Sequence, residues 1–255
     1  MIHHLLEPYL PQLYGISSND NTRVEVSKKI VNAIENQNEQ LHSQGISHLL
    51  NKLAENGMDM IEGKYSGKYP GDKSTLHLSI AGLTILDCLL DITETDYFLR
   101  RKLADFFKEM LFSSSNSPCL DERTSNVIRH TASCIGHLAR ISTASESDYL
   151  KSSFLSMAFR CIIEPRSDVH RYSGVLILTQ LAIHIPVHVY DQKQKLFDGI
   201  FDAISDRNAI IRVGASEAFS EALKVVSERE SSEGITLSST LIEINFTLFW
   251  SIHSD

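Results

Sequence analysis

His130, Cys134 and His137 fall at i, i+4 and i+7, a spacing that puts all three on one face of a helix. Imidazole and thiolate so arranged suit Zn²⁺. Three ligands from a single helix strain the tetrahedron, however, and a fourth is missing. A buried cysteine beside half-exposed histidines is the better reading. His184 and His188 are also four apart, but Pro186 lies between them at an expected helix junction, so they do not share one regular helix face. No metal and no cofactor is expected at either place.

Asp168 and Asp206 precede Arg171 and Arg212. Paired carboxylates would serve acid–base chemistry. An aspartate just ahead of a helix with an arginine behind it reads instead as a cap, or as a charge pair along a stack of helices. The spacing from aspartate to arginine differs in the two cases, so no uniform ladder follows. SSSNSP at 113–118 reads as a solvated loop rather than a phosphorylation site, and the Asn245-Phe-Thr247 triplet means little without a secretory signal.

Nucleotide chemistry lacks its motifs. The chain contains no GxGxxG, GxxxxGK[ST], HRD or DFG, and no GxSxG elbow or HExxH. No catalytic residue is expected, and the chain reads as a non-enzyme.

Positioning elements must come from a chain of 255 residues with 42% apolar and 22% charged side chains, 12 glycines and 6 prolines. So few glycines and prolines favour long helices over many short strands. A net charge of −8 supplies no basic footprint for nucleic acid. Four cysteines without a CxxC pair do not make a disulfide framework, and the first residues lack the basic and apolar regions of a signal peptide. These features suit a reduced, cytoplasmic protein. The apolar run RYSGVLILTQLAIHIP (171–186) is interrupted by Gln180 and His184 and is too short to span a bilayer, so no transmembrane segment is expected.

Helical periodicity recurs. Leu196, Phe197, Ile200, Phe201 and Ile204 form one face, opposite Asp198, Asp202 and Ser205. Helices are expected at 41–61 with 76–92, 96–112 with 122–141, 146–163 with 167–185, and 187–204 with 208–228. The second helix of each pair carries a step of two small residues: Ala81-Gly82, Thr131-Ala132, Ser173-Gly174 and Gly214-Ala215. Arg129, Arg171 and Arg212 each stand just before their step. A helical hairpin returning every 40–47 residues or so is the mark of HEAT and armadillo repeats. The expected fold is all-α: a HEAT/armadillo-like α-solenoid of stacked helical hairpins. Its parts are an N-terminal flank (1–40) with a leading helix at 22–34, then repeats at 41–92, 96–141, 146–185 and 187–228 within 41–230, and an atypical tail (231–255). That tail has no polar helical face and reads either as an improvised cap or as the cut end of a longer protein.

The second half is more specific than a generic repeat. IGHLAR (135–140), RYSGVLILTQLA (171–182), Pro186, LFDGIFDAISD (196–206), IIRVGASEAFSEAL (210–223) and Arg229-Glu230 occur in one order and spacing. Together with SIAGLTILDCLLDI (79–92) and TRVEVSKKIVNAI (22–34), they resemble the N-terminal HEAT region of the target-of-rapamycin (TOR) serine/threonine kinases. The resemblance implies a non-catalytic scaffold in a TOR-type nutrient and growth signalling complex. It implies protein partners: a Raptor-type adaptor, a Rheb-type small GTPase and other TOR-complex subunits. It also implies a cytoplasmic location, with peripheral attachment at endomembranes as part of a complex. The alternative is a free-standing HEAT adaptor, such as a transport or phosphatase scaffold, unrelated to TOR.

Overall fold

A computed structural model describes Pro8, residues 25–26, 28–33 and 36, and then 43–64, 75–92, 97–112, 119–142 and 144–232. The loop at 113–118, the glycosylation triplet and the tail beyond 232 lie outside these residues. The leading helix expected at 22–34 is described as helical at 25–26 and 28–33.

The described residues are all-α. The named helices are α1 (Ser43–Ile61), α2 (Thr75–Leu90), α3 (Tyr97–Phe112), α4 (Glu122–Ile141), α5 (Ala144–Ile163), α6 (Asp168–His184), α7 (Pro186–Tyr190), α8 (Lys193–Ile204) and α9 (Ala209–Ser232). Their ends follow from local chemistry. Asp121 caps α4 by accepting from the Thr124 N–H at 2.7 Å. Ser167 caps α6 through the His170 N–H. Gly63, at φ +71°, closes α1: its N–H reaches the Met60 carbonyl and the Lys64 N–H reaches that of Asp59. That pair of bonds needs a left-handed residue, and glycine takes the conformation without a Cβ penalty.

Two compact units divide the chain, Met1–Met110 and Leu111–Asp255. In the first, α1 and α2 form a tight antiparallel pair. In the second, α6 is the centre. It packs on its hairpin partner α5 and on two other second helices, α4 and α9, while α9 pairs with α8 and α8 touches α5. This is the stacking of an α-solenoid, in which second helices line one layer and first helices the other. Its consequence for α6 is burial round the whole circumference. Val175, Leu176, Ile177, Leu178 and Thr179 are consecutive and all buried, which no amphipathic surface helix allows. The run 171–186 is apolar because helices surround it. Among the described residues no helix is long and apolar enough to cross a membrane.

One element departs from expectation. The single first helix expected over 187–204 is two, α7 and α8, separated at Asp191 and Gln192. Pro186 starts α7 at a first-turn position, where its missing N–H costs nothing. Lys193, opening α8, then donates to Tyr190 Oη at 3.2 Å and to Glu230 Oε1 of α9 at 3.1 Å. Glu230 is almost completely buried, so this bond anchors the break against α9.

Candidate functional site

All eight residues of the small steps are buried: Ala81, Gly82, Thr131, Ala132, Ser173, Gly174, Gly214 and Ala215. Their surroundings differ. A Cβ on Gly82 would strike the Gly57 carbonyl of α1, and one on Gly174 would come within 2.7 Å of the Ala158 carbonyl of α5. In both cases the missing side chain lets a hairpin's two helices touch backbone to backbone. Gly214 serves another contact: a Cβ there would meet the Tyr172 ring of α6 at 2.9 Å. The step in α9 therefore turns its glycine toward the neighbouring second helix, not toward its own partner. Thr131 and Ser173 satisfy their buried hydroxyls by donating to the carbonyls four residues back, Val127 and Val169.

The three arginines have three different partners. Arg129 on α4 donates to both carboxylate oxygens of Glu217 on α9, at 2.6 and 3.3 Å, and to Tyr172 Oη of α6 at 3.2 Å. One side chain thereby joins three successive second helices. Burial works against the Arg129 charge, but the bonds to Glu217 and Tyr172 leave its pKa raised. Burial likewise pushes the Tyr172 phenol up, with Arg129 opposing.

Arg171 pairs with Asp206, whose side chain is 9% exposed. The other oxygen of Asp206 accepts the Asn208 N–H at 2.7 Å, and Asn208 in turn donates its side-chain amide to Asp168 at 3.0 Å. Arg212 does not join a carboxylate here. It donates to the backbone carbonyls of Asp206 and Arg207, both at 2.9 Å, closing the turn before α9. Pro165, Arg166, Ser167, Asp168, Arg171, Asp206 and Arg207 border an open cleft of about 430 Å³ around this network. Arg171, Asp206, Asn208, Asp168 and Arg212 are all engaged in holding helices and their connecting turn together. The arrangement is a register device with a charged rim, and it offers no nucleophile paired to a base.

The remaining candidates lie on α4, α6 and α7. Cys134 and His137 are buried and His130 is half-buried on α4. His184 ends α6 and lies near Gly136 of α4, whereas His188 on α7 faces Asp148 of α5 at 3.9 Å. Among the described residues no group of three or more His, Cys, Asp or Glu side chains is placed to hold a metal ion.

Four residues of these networks were not visible from pattern: Tyr172, Glu217, Asn208 and Glu230. Only Asn208 had a local signal, its place in the Ser205–Asn208 turn, where a side-chain amide accepts from the N–H two residues on.

No protein-family model matches the chain. Over 108 residues, 42% of the chain, it is 33% identical to the serine/threonine-protein kinase mTor of Drosophila melanogaster. Over 101 residues, 40% of the chain, it is 27% identical to the serine/threonine-protein kinase tor1 of Schizosaccharomyces pombe. Each match spans 4% of the kinase's own length. The chain therefore carries a stretch of sequence homologous to part of the TOR kinases.

Proposed function

We propose that this chain is a non-catalytic HEAT-repeat scaffold equivalent to a portion of the N-terminal arm of a TOR kinase, and that it mediates protein–protein contacts in a TOR-type signalling complex. The observation that carries the reading is the 108-residue match, found in a chain whose helices stack as hairpins. The packing supports it. Glycine contacts hold the two helices of a hairpin together, and the Arg129–Tyr172–Glu217 and Arg171–Asp206 links hold hairpins in register. Such a stack presents loops and helix faces at fixed spacing, which suits binding an extended partner surface. Kinase activity belongs to the matched proteins by name; this chain contributes binding surface. The partners that follow are a Raptor-type adaptor and a Rheb-type small GTPase, with a cytoplasmic location and peripheral attachment at endomembranes through the complex.

Affinity capture of the 255-residue chain from cells of its own source, with mass spectrometry, tests this. Recovery of a Raptor-type adaptor or another TOR-complex subunit is expected. Recovery of none of them, with transport or phosphatase subunits in their place, would transfer the chain to the free-standing adaptors.

A further inference from the structure

Local chemistry does not require the break between α7 and α8. Tyr190 to Lys195 include no glycine or proline, and glutamine and lysine are good helix formers. Asp191 keeps a helical backbone at φ −60° and ψ −19°, and only Gln192 leaves it, at φ −113° and ψ 20°. Gln192 stands at the N-cap of α8 and makes no side-chain bond to the first turn. The N–H groups of Lys193, Gln194 and Lys195 precede the first internal bond of α8, from the Leu196 N–H to the Gln192 carbonyl. An unbroken helix would give them the carbonyls of Val189, Tyr190 and Asp191.

The apolar pattern also suits an unbroken helix, except at one residue. Carried through at about 3.6 residues per turn, Val189, Leu196 and Ile200 fall on one side, and all three are buried. Lys193 falls beside them, where an ammonium among apolar side chains would be costly. The break spares it that position. Its Nζ bonds to Tyr190 Oη at 3.2 Å and to Glu230 Oε1 at 3.1 Å, with 38% of the side chain exposed. It also lies over the Tyr190 ring at 4.6 Å, and Arg229 of α9 stands 5.9 Å from the same ring. Burial works against the Lys193 charge, but the bonds to Tyr190 and Glu230 leave its pKa raised. The cation is held at the break by α7 on one side and by the end of α9 on the other.

We propose that Lys193 and Glu230 form a charge latch that holds residues 187–204 bent against an unbroken helix, so that the last turn of α9 controls the bend. Local propensity and the three waiting N–H groups favour the straight form; the latch, reaching across to another helix, favours the bent one. Glu230 stands two residues before the end of α9 at Ser232. Drawing that turn away from α7 takes the carboxylate from Lys193 and lets α7 and α8 join along one axis. Because α7 packs on α6 while α8 packs on α9 and α5, joining them re-angles the last hairpin against α6. A device of this kind turns a local event at the end of one helix into a change in the stack. It stands apart from the scaffold reading, since it follows from the bend alone.

Hydrogen–deuterium exchange of single amides in the whole 255-residue protein, read by NMR, tests this. Lys193→Met keeps the apolar stem and removes the ammonium, so it suits the straight helix and releases the latch. Exchange at residues 193–195 should slow by about tenfold, while the amides of 196–204 stay as in the parent. Glu230→Gln, which removes the charge from the other end at the same shape, should slow the same three amides to a lesser degree. Lys193→Arg keeps a cation at the break and should exchange as the parent does. Unchanged exchange at 193–195 in both Lys193→Met and Glu230→Gln overturns the proposal. Faster exchange spread over 186–204 overturns it too, because the bridge would then support the only fold this segment has. Equal slowing in Lys193→Arg and Lys193→Met also overturns it, since charge would not be what holds the bend.

Discussion

The hairpins α1/α2 and α5/α6 are built alike inside and linked differently outside. Each closes on a glycine whose absent side chain admits a facing carbonyl, Gly57 for Gly82 and Ala158 for Gly174. Outward, α1 has a surface pair, Glu55 with Lys102 of α3 at 3.3 Å, both side chains 40% exposed or more. The corresponding link from α6 is Arg171 with Asp206, 26% and 9% exposed. Backbone contact makes a hairpin, and buried charge registers one hairpin on the next. The two jobs are separable by mutation because they use different atoms.

Asp206→Ala should break the comparison hardest. It removes the partner of a three-quarters-buried guanidinium and the acceptor of the Asn208 N–H together. Removing one member of a buried pair costs about 3–5 kcal/mol, and water reaching Arg171 keeps the expected loss near the lower end. A denaturant titration read by circular dichroism measures it. A loss below about 1 kcal/mol would mean the pair is no better than a surface one.

The glycine series comes next. Gly82→Ala drives a methyl into the fixed Gly57 carbonyl, with Ile61 and Met60 close by, so the helices must separate. Overpacking of this kind costs about 1–3 kcal/mol, and the gain in helix propensity returns about 1. With a backbone carbonyl in the way the overpacking cost falls at its upper end, so a net loss of up to about 2 kcal/mol is expected for Gly82→Ala, and slightly less for Gly174→Ala. Gly214→Ala meets a Tyr172 ring edge rather than a backbone carbonyl, so its loss should be smaller, about 1 kcal/mol. Equal losses at all three positions would erase the distinction between contacts within a hairpin and contacts between hairpins.

The bridge over Tyr172 is intermediate in burial. Arg129 and Glu217 are each 43% exposed, so a double-mutant cycle should return a coupling of about 1 kcal/mol that shrinks as salt rises. Tyr172 adds a pH signature. Burial raises its folded pKa above the free phenol's 10.0, so the neutral form is favoured in the fold. Its contribution is fully present below pH 10 and is lost as pH rises through the folded value. Tyr172→Phe should flatten that alkaline decline relative to the parent in melts at pH 9 and above.

The same contrast explains what the sequence could reveal. Period-3.6 apolar faces and the recurring small steps mark helices and hairpins, because packing within one hairpin depends on residues near in sequence. The links between hairpins do not. Glu217 lies 88 residues from Arg129, and Asp206 lies 35 from Arg171. Glutamate and aspartate at those distances look like any solvated charge. Arg129, Arg171 and Arg212 are one recurring letter with three uses: a bridge across helices, a buried pair and a turn closure. The break between α7 and α8 was hidden for a related reason. No glycine or proline stands at Asp191 or Gln192, and the break is anchored instead by Lys193 on Tyr190 and the distant Glu230.

Lys102→Ala is the smallest expected effect and the control for the rest. Its ammonium and the Glu55 carboxylate both remain largely in water, so pairing gains little beyond what solvent already supplies. Stability should move by no more than about 0.5 kcal/mol, and high salt should mask the change. A loss approaching that of Asp206→Ala would show that exposure does not set the strength of these links. The division between a sterically closed hairpin and an electrostatically registered stack would then have to be redrawn around α3.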